Sequence, residues 1–270
     1  MSETDWSRLK AHELRALADA NACVILPIAS TEQHGPHLPV MTDTRLGWEI
    51  AMRAAQKAYP QRPTVVTPVV WSGLSEHHMP YGGTLILSHE TFRMVLRDLI
   101  VSLTRHGFRD ILISNSHGGN VIPMKQIADQ LSSEVDATIV ATTYPSEAAP
   151  AIKEILEDQV TLGHACEAET SMMMAVEADL VDTSDLASLD TPRGDGFLEV
   201  GRASYRWRPF SHMTANGVAG YPGKATAEKG EALLEVSAEA IARLIADPDT
   251  WAAARDLRPD QIGGVPLRKS

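Results

Sequence analysis

Short apolar runs alternate with longer amphipathic stretches along this chain. Residues 23–28 (CVILPI), 64–70 (TVVTPVV), 110–114 (DILIS) and 136–142 (DATIVAT) are brief, mostly β-branched and bounded by turn formers. That is the pattern of buried strands. Between them, apolar positions recur at helical spacing. The clearest case is 89–106, where Phe92, Leu96, Leu99, Ile100 and Leu103 make one stripe and Gly107 supplies a stop. Stretches 6–19, 43–58, 120–132 and 225–246 have the same period. Strands that alternate with helices predict an α/β fold with a mostly parallel sheet. No repeat or low-complexity linker interrupts the alternation, so a single domain over 1–270 is expected. Residues 181–224 break the rhythm. They are rich in Gly, Pro, Asp and Arg and carry Phe197, Tyr205, Trp207 and Phe210. They read as a long irregular region that covers a site or makes a subunit contact.

The 270 residues, 44% of them hydrophobic, suffice for a well-buried core. The formal net charge of −11 repels phosphate backbones, so no nucleic-acid partner is expected. Two cysteines, Cys23 and Cys166, lie in no CxxC pattern, which fits a reducing cytosol. The N-terminal residues are polar and show no secretory signal. No apolar run approaches the roughly 18 residues of a membrane span, so no membrane partner is expected.

Residues 27–43, directly behind the first strand, bring Glu32, His34, His37 and Asp43 within twelve positions. Groups at the carboxyl end of a parallel strand face the ligand crevice. Glu32 and His34, two apart, project the same way from an extended segment. Carboxylate with imidazole is a ligand set for zinc, manganese or iron. The blander alternative for this segment is a polar loop with a helix cap at Asp43. A second segment, Ser114 to Asn120, sets His117 and the pair Gly118–Gly119 behind another strand. The glycines permit close backbone approach. In a third, His164, Glu167 and Glu169 open a helix, a place where the dipole alone favours carboxylates. In a fourth, Ser75, Glu76, His77 and His78 follow the strand at 64–70 and are placed to line a pocket. No serine sits in a GxSxG elbow, and no GxGxxG or P-loop pattern occurs.

Taken together, ILPIASTEQHGPHLPVMTD, NSHGGN, HACEAETS and GVAGYPGKATAEKGE at 217–231 resemble, in order, the blocks of the creatininase (creatinine amidohydrolase) family. The resemblance implies a three-layer α/β/α domain around a largely parallel sheet. It implies two divalent metal ions per subunit, with Glu32, His34, Asp43, His117 and Glu169 as ligands. Asp43 would bridge the ions, Glu32 and His117 would complete one shell, and His34 and Glu169 the other. His164 matches the family's catalytic histidine. Ser75, His78, Gly118, Gly119 and Glu167 are the expected substrate contacts, and a homo-oligomer, by resemblance a hexamer, is the expected assembly. Creatinine-hydrolysing members carry Tyr and Glu where this chain has Gly118 and Gly119, and Trp and Asp where it has Val160 and Thr161. The HGGN form is more similar to relatives that act on formamides, peptides or cyclic keto-sugars.

The ligand set predicts a small-molecule hydrolase in which an ion pair activates water. His164 would protonate the departing nitrogen, and Gln33 or the glycine-loop N–H groups would hold the oxyanion. The leading expectation is C–N cleavage in a small amide, lactam or formamide. A second keeps the metals but cleaves a peptide or a C–C bond of a cyclic ketone. A third is a metal-binding or sensor protein without turnover.

Overall fold

The structure is a computed structural model that describes residues 2–159, 161–192 and 206–258, with Gly263. Four strands pair in parallel: β1 (Cys23–Ile28), β2 (Thr64–Val66), β3 (Asp110–Asn115) and β4 (Thr138–Thr143), in the order β2–β1–β3–β4. Parallel neighbours need crossover connections, which helices supply. The helices are α1 (Ala11–Asp19), α2 (Thr42–Ala58), α3 (His89–Arg105), α4 (Val121–Glu134), α5 (Tyr144–Glu147), α6 (Ala149–Ile155), α7 (Glu167–Val176) and α8 (Ala227–Ala246).

Alternate residues of each strand face opposite sides, and both sides are buried. Cys23, Ile25 and Leu112 pack with α2, α7 and α8. Val24, Leu26, Ile28, Ile111 and Ile113 pack with α3 and α4, and α1 adds Leu14 and Leu17 at the margin. This is the expected three-layer α/β/α arrangement. Register pairs Ile28 with Asn115 and Asn115 with Thr143, so β1, β3 and β4 end level. The loops that follow them therefore leave the sheet side by side.

Most expected elements form near their expected bounds, and the differences have local causes. The helical pattern at 6–19 divides: Asp5 caps a short 3-10 turn at Trp6–Arg8, and α1 begins only at Ala11. The strand at 64–70 pairs regularly only to Val66, because Pro68 has no N–H to donate. The ladder touches again where Val70 meets Ile28. On α3, Phe92, Leu96, Ile100 and Leu103 are buried, whereas Leu99 lies on the solvent side and is 40% exposed. The helices α5 and α6 were not expected. Each has proline in its first turn, where a missing N–H costs nothing. Of the irregular region, Trp207 and Phe210 are described; Phe197 and Tyr205, like Val160, lie outside the described residues. No helix among the described residues is long and apolar enough to cross a membrane.

Candidate metal centre

Side chains from the level ends of β1 and β3, from the start of α2 and from the start of α7 converge on one point. Glu32 and His34 sit in the loop after β1, which is pinned by Glu32 N–H to the Val40 carbonyl (3.0 Å). Gly35 turns that loop at φ +64°, and a side chain there would collide with Val218. Asp43 lies in the first turn of α2 and Glu169 in the first turn of α7. His117 follows β3, and its backbone is fixed from both sides: its N–H donates to Asn115 Oδ1 (3.1 Å) and its carbonyl accepts from Asn115 Nδ2 (2.7 Å). His164 is held in a backbone bridge with Ala219, next to Ala165 at φ +50°.

The five side chains form two triads that share Asp43. In one, His117 Nδ1 stands 3.1 Å from Glu32 Oε2 and 3.2 Å from Asp43 Oδ2. In the other, His34 Nε2 stands 3.4 Å from Asp43 Oδ1 and 3.9 Å from Glu169 Oε1. All five residues are buried. Yet Glu32 Oε2, His34 Nε2, Asp43 Oδ2 and Glu169 Oε2 have no hydrogen-bond partner. Buried polar atoms are nearly always partnered, and a cluster of bare donor atoms aimed at one another is what a cation satisfies. The ring nitrogens that point away are, by contrast, engaged. His34 Nδ1–H donates to the Glu32 carbonyl (3.1 Å), which leaves Nε2 for the cluster. His117 Nε2 meets Ser75 Oγ at 3.1 Å and the Leu74 carbonyl at 3.3 Å, which leaves Nδ1. Metal-binding histidines are oriented through their second nitrogen in this way. The residues present fit a pair of divalent ions.

The electrostatics describe the same cluster. Burial works against a charged His117, but Glu32 and Asp43 outweigh it and hold its pKa up at about 10. Burial likewise opposes a charged His34, and Asp43 and Glu169 push it well above the usual histidine range. Burial would raise Glu32, but His117 and His78 hold it well below the carboxylate range. Glu169 is raised, chiefly by burial. Without a cation, protons on the two imidazoles offset the carboxylates. His164 goes the other way: burial, then the nearby charge of His34, pulls it well below the histidine range.

A cavity of about 460 Å³ opens beside the cluster. Glu32, Asp43, His117, Glu169 and His164 reach it, as do the expected contacts His78 and Gly118. Three other expected substrate contacts are elsewhere. Ser75 binds Ser30 Oγ and the back of His117, so it orients a ligand ring and does not line the cavity. Gly119 is absent from the cavity wall; a side chain there would strike the Leu74 carbonyl and the His117 ring. Glu167 points away and is tied to Lys229 Nζ (2.7 Å) and the Glu157 N–H (3.2 Å). Gln33 also departs from expectation as an oxyanion donor. Its amide N–H groups are occupied by His78 Nδ1 (2.8 Å) and the Gly217 carbonyl (3.2 Å). His37 binds Thr170 Oγ1 (2.9 Å), outside both triads. Glu76 is exposed. His77 does line the cavity, stacked on His117 at 5.7 Å, and burial pulls its pKa down to about 4. Phe210, in the sequence only one of four aromatics of the irregular region, packs its ring on His78 at 4.5 Å and on His164 at 4.9 Å. Its only signal was an aromatic residue in an otherwise irregular stretch.

The family model described as creatinine amidohydrolase matches residues 7–245. The mycofactocin precursor peptide peptidase of Mycolicibacterium smegmatis is 30% identical, over 77% of this chain and 78% of its own. The creatinine amidohydrolase of Pseudomonas putida is 28% identical over 91% and 95%. The manganese form of a creatininase, 24% identical, superposes with a TM-score of 0.77 over 90% of this chain and 98% of the other, which speaks to the fold. The chain is a hydrolase that belongs to the creatininase family.

Proposed function

We propose that this hydrolase cleaves the C–N bond of a small amide, lactam or formamide at a pair of divalent ions. One observation carries the reading: Asp43 presents one oxygen to the Glu32–His117 side and the other to His34, among buried donor atoms that lack hydrogen bonds. Glu32, Asp43 and His117 would hold one ion, and His34, Asp43 and Glu169 the other. The mixed nitrogen and oxygen set suits zinc, manganese or iron. Bound there, such a pair lowers the pKa of water and polarises a carbonyl.

The chain's own residues supply the rest. His164 Nε2–H donates to the Gln33 carbonyl at 2.8 Å, so Nδ1 faces the cluster, 3.6 Å from Glu32 Oε1. Its depressed proton affinity keeps Nδ1 bare at neutral pH. Nδ1 is thus placed to take a proton from the attacking water and return it to the departing nitrogen. Phe210 packs over His78 and His164 and limits how their rings can move. A peptide is the second reading. Gly118, Ser146 and Ala149 are exposed at the cavity rim, which leaves room for a longer chain. The free, buried thiols of Cys23 and Cys166 fit work in the cytosol. The working assembly is a homo-oligomer in this reading. Exposed Trp71 and Leu85 sit on segments that bond to Thr31, and exposed Val40 on one that bonds to Glu32, an apolar patch a second copy would cover.

The test is a turnover screen. Protein reconstituted with zinc or manganese is offered amides, lactams, formamides, short peptides and cyclic ketones, and products are followed by NMR. C–N cleavage that stops with a chelator and returns with metal is the expected result. Metal-loaded protein that cleaves only the ketones, or nothing, refutes the proposal.

A further inference from the structure

The cavity is larger than a reacting amide group, and its far wall has a definite chemistry. Beyond the cluster its lining is mostly apolar, with Val121, Ala149, Ile152, Leu162 and Met213, beside the hydroxyls of Thr143, Ser146 and Thr161. Among the described residues that line it there is no lysine or arginine, so an anionic substituent would find no partner. Its acidic residues are Glu32, Asp43 and Glu169, all of them turned to the cluster, so a cationic substituent would find none either. Gly118 also lines the cavity. Nothing stands within 4 Å of where a Cβ would be, so the absent side chain leaves the cavity open at this exposed position.

Resting on the metal-site reading above, we infer that the substrate carries an uncharged, apolar group of several carbons beside its scissile amide, seated beside Gly118 against Val121, Ile152 and Leu162. Burial of apolar surface against these residues is favourable, and it grows with chain length. A charged group of the same size finds no counter-ion there.

Alkyl hydroxamates read the wall without turnover, because the hydroxamate head binds metal and the tail reports its surroundings. Calorimetric titration of metal-loaded protein with the acetyl to hexanoyl series should show the Kd falling about three- to fourfold per methylene. The hexanoyl chain with a terminal carboxylate should lose that gain. Gly118→Phe should flatten the dependence, and so should Ala149→Phe, which alters an exposed position and leaves the core intact. Head-group binding with no dependence on chain length, or tighter binding of the charged chain, overturns the apolar pocket alone. Absence of binding at every length, in protein that takes up no metal, overturns the metal-site reading together with it.

Discussion

Asp43 and His117 meet at 3.2 Å, carboxylate oxygen Oδ2 to ring nitrogen Nδ1, and that oxygen accepts no hydrogen bond. The two lie on different elements, the start of α2 and the loop after β3, so the fold and not local chain geometry brings them together. A bare contact of this kind, fully buried, would be costly unless a charge between the groups repaid it.

Metal uptake should therefore release protons. His117, held at about 10, and His34, held well above the usual range, both carry protons at pH 7 when no cation is present. Both must lose them to become ligands. The sign follows: loading acidifies a weakly buffered solution, and apparent metal affinity rises with pH. Uptake of two ions should release about two protons. Indicator dye and elemental analysis measure the two quantities together. Asp43→Asn, which removes the group common to both triads, should take up less than one ion per chain. Uptake without acidification, or full loading of Asp43→Asn, would sink the shared-ligand assignment.

His164→Ala separates binding from chemistry. His164 is oriented by the Gln33 carbonyl and stands outside the two triads that share Asp43, though its ring also comes within ligand range of Glu32 and His34. The substitution should leave metal content as it is and lower turnover by about 10² to 10⁴, the usual worth of a positioned acid or base. Turnover and metal content measured on one sample decide it. A fall in metal content would make His164 a ligand, and unchanged turnover would remove it from the mechanism.

Signals carried by contiguous residues were legible in the sequence. β1 is the apolar run 23–28 itself, and α8 starts one residue after Thr226, whose hydroxyl accepts from Lys229 N–H. The convergence of Glu32, His34, Asp43, His117 and Glu169 was expected from family blocks and strand ends. What composition and spacing do not encode is direction. Glu167 and Glu169 both open α7, but a helix turns 100° per residue, so two positions apart they face nearly opposite ways. Glu169 enters the cluster while Glu167 meets Lys229. Ser75 and His78 sit on one short turn with the same ambiguity; one supports His117 from behind and the other reaches the cavity. Phe210 arrives from a distant irregular segment, with no periodicity to announce it.

The packing of α7 on α8 gives the last expectation, and it runs against the usual rule. Gly230 lies in the first turns of α8, where alanine would ordinarily be favoured by about 1 kcal/mol. Here the helix crosses α7 so closely that an alanine Cβ would overlap the Ser171 carbonyl, with Met172 N 2.9 Å away. The obstructing atoms are backbone, which no rotamer change relieves. Gly230→Ala should therefore destabilise the protein by about 1–3 kcal/mol, as overpacking does. For a chain of this size that is a loss of roughly 2–4 °C in Tm per kcal/mol. The strain falls on the helix that carries Glu169, so the variant should also bind metal more weakly at the His34–Glu169 side. Thermal unfolding with and without metal reads both effects. An unchanged or raised Tm would mean that α7 and α8 do not approach as closely as the structure places them.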